Sequence, residues 1–111
     1  MIIAAIALFS LAAILGLLLF GFVIKGKHTP KALVLTHGPL AIAGIILLVI
    51  YCTQNDPDPI DSLILFLIAA SGGLILVARD LMGKTIPKWL AAIHGLLAVA
   101  GFSLLLMFQF S

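Results

Sequence analysis

The chain has 111 residues, of which 64% are hydrophobic and only 9% are charged, and its formal net charge is +2. This composition lies far outside the range of soluble globular proteins and predicts a single integral membrane domain over residues 1–111. No length remains for a separate catalytic domain, and the small positive charge, which lies in loops, gives no indication of nucleic-acid binding.

Four apolar runs are long enough to cross a hydrocarbon core of roughly 30 Å as helices. The first run lacks a basic amino-terminal region and is too long for a cleaved signal peptide, so we expect it to be retained. The sequence therefore predicts an all-α, integral membrane, up-and-down four-helix bundle. The predicted segments cover about residues 1–24, 32–53, 60–78 and 87–110.

The connections between these segments differ in charge. The first, Lys25–Lys31, contains three lysines, and Pro30 suits the first turn of the second segment. The second, Gln54–Asp61, contains three aspartates and no base, whereas the third, Arg79–Lys88, is basic again. By the positive-inside rule, both basic connections face the cytoplasm, while the two termini and the acidic connection face the outside of the cytoplasmic membrane.

The second half of the chain repeats the first at a constant offset of 57 residues, from Pro30 to Pro87. The repeats cover about residues 1–54 and 58–111, and about two in five aligned positions are identical. This regularity predicts a duplicated two-helix unit, and the shared orientation of the halves predicts a parallel repeat with a pseudo-twofold axis along the membrane normal. Among the identical positions, Lys31, His37, Gly38 and Gly44 align with Lys88, His94, Gly95 and Gly101.

Two histidines and two glycines are predicted to share one depth in the membrane. His37 lies roughly 9 Å into the second segment, and Gly16 lies roughly 12 Å before the end of the first. The repeat places His94 and Gly73 in the same layer. Positions identical between the second and fourth segments recur at helical spacing and include the histidines, so we expect both imidazoles to point inward.

Two inward imidazoles on diagonal helices could reach a single iron, because diagonal axes of such a bundle are roughly 13 Å apart. Gly16 and Gly73 would leave space for the edges of a porphyrin. Its propionates would point to the cytoplasmic face, where Lys31 and Lys88 can meet them, as can Lys27, Lys84 and His28.

Histidines on the second and fourth helices and glycines on the first and third resemble the haem-binding four-helix core of the transmembrane b-type cytochromes. The resemblance covers nearly the whole chain and rests on Gly16, His37, Gly73 and His94. It implies one low-spin haem b with His37 and His94 as axial ligands. That family carries further histidines about four turns along the same helices, where this chain has Tyr51 and neighbours without imidazoles.

These features predict an electron-transfer protein near the cytoplasmic face, and not an enzyme with its own substrate, because an iron with two protein ligands has no open position. A quinone or a larger respiratory complex could be its electron donor or acceptor. Besides the lipid bilayer and these redox partners, a second copy of the chain, in a homo-oligomer, stays open.

The main alternative is a non-catalytic small membrane subunit or assembly factor of a larger complex, in which the histidines only form hydrogen bonds. A small multidrug-resistance transporter is disfavoured, because those proteins need a membrane-embedded glutamate in the first helix and this segment has no acid.

Overall fold

The computed structural model describes every residue from Met1 to Ser111. The chain forms four α-helices and no strand, which confirms the all-α prediction and the number of helices. Each helix is long and apolar enough to cross a membrane. The helices are α1 (Ile2–Ile24), α2 (Lys31–Gln54), α3 (Ile60–Leu81) and α4 (Lys88–Phe110).

The third helix continues beyond its predicted end at residue 78 and finishes at Leu81. Arg79 and Asp80 end the apolar run but not the backbone hydrogen bonding. The helix stops where Gly83 adopts a φ of +71°, a left-handed conformation that glycine enters without steric cost. Lys84 N–H then donates to the Arg79 carbonyl at 2.9 Å, which closes a Schellman-type cap.

The first helix ends in the same way. Gly26 has a φ of +68°, and Lys27 N–H donates to the Phe22 carbonyl at 2.9 Å. Gly26 and Gly83 are 57 positions apart, so the same device turns the chain after α1 and after α3. Both turns lie in the basic connections.

The helices pack as a four-helix bundle measuring 43 × 21 × 19 Å. The most extensive packing joins α1 to α2 and α3 to α4, and α1–α4 and α2–α3 contacts close the bundle. The diagonal pairs are therefore α1 with α3 and α2 with α4. Consecutive helices are antiparallel, because the short connections turn the chain directly back onto its neighbour.

The best-packed part of the bundle is a phenylalanine layer formed by Phe9, Phe66, Leu48 and Leu105. The two phenyl rings stack with centroids 3.9 Å apart and planes 4° apart, across the α1–α3 diagonal. Leu48 and Leu105 are completely buried beside them. Gly44 permits this packing, because a Cβ there would lie 2.9 Å from Phe9 Cε1.

One buried polar contact lies in the same half of the bundle. The Ser62 hydroxyl donates to the Gly101 carbonyl at 2.7 Å and joins α3 to α4. The phenylalanine layer is separated by seven residues, roughly 10 Å along α1, from the layer that contains Gly16. The bundle is thus tightly filled on one side of the predicted histidine site.

Candidate functional site

The structure brings the two predicted histidines together inside the bundle. His37 comes from α2 and His94 from α4, and their ring centroids lie 6.2 Å apart with the ring planes at 83°. Both residues are partly buried. Together with Gly16 and Gly73 they form what we term the histidine layer.

Each imidazole is held by a hydrogen bond to the backbone of a neighbouring helix. His37 Nδ1 lies 2.8 Å from the Ala12 carbonyl oxygen, and His94 Nδ1 lies 2.7 Å from that of Ala69. A carbonyl oxygen only accepts, so each Nδ1 carries the proton and donates it. In a neutral imidazole this leaves Nε2 as a lone-pair nitrogen, which is the form that binds metals.

The two glycines of the layer lie directly against the imidazole rings. A Cβ at Gly16 would be 3.0 Å from His37 Cε1, and a Cβ at Gly73 would be 3.0 Å from His94 Cε1. Gly16 lies one helical turn after Ala12, and Gly73 lies one turn after Ala69, the two alanines whose carbonyls accept the imidazole hydrogen bonds. The absence of a side chain therefore lets the imidazole approach the helix closely enough to donate to that carbonyl. A role beside a porphyrin edge stays a prediction for both glycines.

The outer nitrogens of the two rings are free. Neither Nε2 has a hydrogen-bond partner within the protein, and the histidines do not hydrogen-bond to each other. No side-chain nitrogen or oxygen is completely enclosed without a partner, so neither Nε2 is fully shielded from the surface. The layer thus offers two lone-pair nitrogens from opposite helices.

The two lysines predicted to meet propionates have different surroundings. Lys31 Nζ lies 2.7 Å from Asp80 Oδ2, in an ion pair that links the start of α2 to the end of α3. The Thr29 hydroxyl donates to Asp80 Oδ1 at 2.9 Å. Lys88, the first residue of α4, is exposed and forms no ion pair. His28 is also exposed.

Sequence reasoning places Asp80 in the third connection, at this end of the bundle, but does not identify its contact with Lys31. The repeat offers one signal, because the offset of 57 residues aligns Asp80 with Val23, an apolar residue in the same register. An acid aligned with an apolar residue suggests an inward position, and Val23 is indeed buried in the structure. The carbonyls of Ala12 and Ala69 carry no sequence signal, since every residue has one.

The histidine layer contains too few ligands for an ordinary metal site. No group of three or more His, Cys, Asp and Glu side chains is arranged to hold a metal ion. Two imidazoles alone make a poor zinc site, which usually needs three or four protein ligands. They do match a metal whose remaining ligands come from a planar macrocycle, as in haem.

Comparisons with known proteins do not add to this assignment. No family model, curated protein or solved structure matches the chain. The resemblance to the b-type cytochromes therefore stays a prediction from the sequence, resting on Gly16, His37, Gly73 and His94.

Proposed function

We propose that this chain is a membrane electron-transfer protein that binds one haem b through His37 and His94. The observation that carries the proposal is the pair of neighbouring imidazoles from α2 and α4, with ring centroids 6.2 Å apart, each fixed by a backbone hydrogen bond and each without a partner at Nε2. A bound haem would supply one-electron chemistry by alternating between ferric and ferrous iron.

The separation of the rings supports binding to one metal. A metal–nitrogen bond of about 2 Å on each side places the centroids of two opposed imidazoles roughly 6 Å apart. The centroids here are 6.2 Å apart. The Nδ1–H bonds to Ala12 and Ala69 fix the tautomer and the ring orientation.

The distribution of charge supports a cytoplasmic-membrane protein with the histidine layer nearer the cytoplasm. All six Lys and Arg residues lie at the end of the bundle where α2 and α4 begin, and three of the four acids lie at the other end. The positive-inside rule then directs both basic connections to the cytoplasm and both termini outward. The same basic end would attract the propionates of a haem.

A duplicated two-helix unit with a pseudo-twofold axis is the simplest account of the recurring contacts. His37 Nδ1 donates to the Ala12 carbonyl, and His94 Nδ1 donates to the Ala69 carbonyl. Donor and acceptor are each shifted by the repeat offset of 57 residues. The completely buried Leu48 likewise recurs as Leu105. If a haem binds, the equivalent residues His37 and His94 would hold it, one from each half of the chain.

A non-catalytic membrane subunit is the second candidate, because ring centroids 6.2 Å apart at 83° also fit edge-to-face packing of two imidazoles. In that case both Nε2 atoms would have no partner, and the protein would be colourless. Visible absorption therefore separates the two functions directly.

The test is the spectrum of the protein purified from a haem-sufficient host. We expect a Soret band, a sharp α band on reduction and one haem per chain by pyridine haemochrome. His37→Ala and His94→Ala should each abolish or severely weaken haem retention, because one axial ligand is removed. Thr36→Ala, at an exposed position next to His37 on α2, is the control. An unchanged haem spectrum in both layer variants would overturn the ligand assignment.

A further inference from the structure

The basic end of the bundle is electrically asymmetric. Asp80, whose side chain is 11% exposed, accepts hydrogen bonds from Thr29 and Lys31 and forms the only ion pair in the protein. The charge of Lys31 is therefore compensated within the protein. Thr29 is itself buried, so the cluster closes the seam between α2 and α3.

The second half of the chain lacks this cluster. One offset away, Lys31 corresponds to Lys88, Thr29 to Ile86 and Asp80 to Val23. Val23 is buried and Ile86 has no polar side chain, so neither residue can compensate Lys88. Lys88 begins the helix that carries His94, six residues or roughly 9 Å before it. Of the two lysines related by the offset, only Lys88 has an uncompensated charge.

We propose that Lys88, and not Lys31, binds a carboxylate of the haem; this inference rests on the function proposed above. A propionate that took Lys31 would leave the largely buried Asp80 carboxylate without its cation, which costs more than a surface ion pair gains. Asp80 would also repel the propionate directly. Lys88 carries neither penalty, because an apolar residue stands where Asp80 would be.

The test compares haem dissociation from four forms of the purified holoprotein, measured as transfer to an excess of a soluble haem acceptor. Lys88→Gln should release haem about ten-fold faster, as expected when a charge-assisted hydrogen bond is lost. The double variant Lys31→Gln/Asp80→Asn, which removes the ion pair without changing net charge, should release haem at nearly the wild-type rate. Lys25→Gln, in the first basic connection, controls for the loss of one positive charge.

A rescue variant and a redox titration add readouts that a merely structural lysine would not change. In the double variant Asp80→Asn/Lys88→Gln, Lys31 has no ion-pair partner and can bind the propionate. This variant should therefore release haem more slowly than Lys88→Gln alone. Lys88→Gln should also lower the midpoint potential more than Lys25→Gln does, because a nearby cation disfavours the more positive ferric state.

Reconstitution with the dimethyl ester of haem separates a propionate from a lipid phosphate as the partner of Lys88. The ester has no carboxylates, so the difference between wild type and Lys88→Gln should vanish. A difference that persists would assign Lys88 to lipid and overturn the inference. Equal haem loss in Lys88→Gln and Lys25→Gln, or rapid loss in the ion-pair double variant, would also overturn it. Absence of haem from the wild-type protein would instead contradict the proposed function.

Discussion

Each imidazole of the histidine layer occupies space that a glycine leaves on the neighbouring helix. His37 reaches the Ala12 carbonyl because Gly16, one turn later, presents no side chain to the ring. The Nδ1–H bond and the ring position therefore depend on the same missing Cβ. Any larger residue must displace the imidazole or separate α1 from α2.

A substitution at either glycine should consequently weaken haem binding. If a haem binds as proposed, we expect Gly16→Leu and Gly73→Leu each to reduce the haem retained per chain, since overpacking of this kind costs about 1–3 kcal/mol and would move a proposed haem ligand. Pyridine haemochrome per mole of purified protein measures the effect. Gly21→Leu on the same helix is the control, because a Cβ there meets nothing within 4 Å. Equal haem content in Gly16→Leu and Gly21→Leu would refute this role.

Residue depth was predictable from the sequence, but residue contacts were not. Counting residues from the helix ends and applying the repeat correctly grouped His37, Gly16, His94 and Gly73. Which atoms touch depends on how far each helix is rotated about its axis, and the repeat alone does not specify that angle. The same limit concealed the pairing of Lys31 with Asp80, which joins two helices from different halves.

At the scale of the helices, α1 and α2 are held together most tightly where Phe9 crosses Gly44. The Phe9 ring cannot move away easily, because it is stacked on Phe66 across the bundle. The equivalent glycine, Gly101, has more room: a Cβ there would be 3.3 Å from Leu65 Cβ. Equivalent glycines in the two halves thus differ in how much space is available for an added side chain.

Alanine substitutions should separate these tolerances. Gly44→Ala should destabilise the folded protein by about 1–3 kcal/mol, because its Cβ would overlap the trapped Phe9 ring. Gly101→Ala should cost less, and Gly21→Ala should gain up to about 1 kcal/mol from improved helix propensity. Reversible unfolding monitored by circular dichroism in detergent gives the ranking. Equal free energies of unfolding for the Gly44→Ala and Gly21→Ala variants would contradict the proposed contact between Gly44 and Phe9.

The helix boundaries illustrate what hydropathy can and cannot specify. The first, second and fourth segments agree with the structure within one residue at each end, because apolar runs and turn residues end together. The third does not, because Arg79 and Asp80 end the apolar run three residues before the helix ends at Leu81. Backbone geometry at Gly83, and not hydropathy, determines that end.

At the scale of the whole molecule, the charge asymmetry between the two ends predicts its orientation. In a Cys52→Ser background, Thr85→Cys should react with a membrane-impermeant maleimide only from the cytoplasmic side, because it lies in a basic connection. Asn55→Cys, in the acidic connection, should react only from the outside. Labelling of intact cells and of inverted vesicles measures both. The opposite pattern would reverse the topology and place the histidine layer nearer the outer face.

The phenylalanine layer has a consequence for energy conversion. It fills the bundle between the histidine layer and the end that holds the termini, and Ser62 is the only buried polar side chain in that half. Apolar side chains packed in this way leave no row of polar groups that could pass protons along this half of the bundle. They also supply no histidine that could bind a second haem there. If a haem binds at the histidine layer as proposed, each electron would therefore enter and leave it from the same side of the bilayer. Such a transfer would move no charge across the membrane, so it would neither consume nor build the proton-motive force.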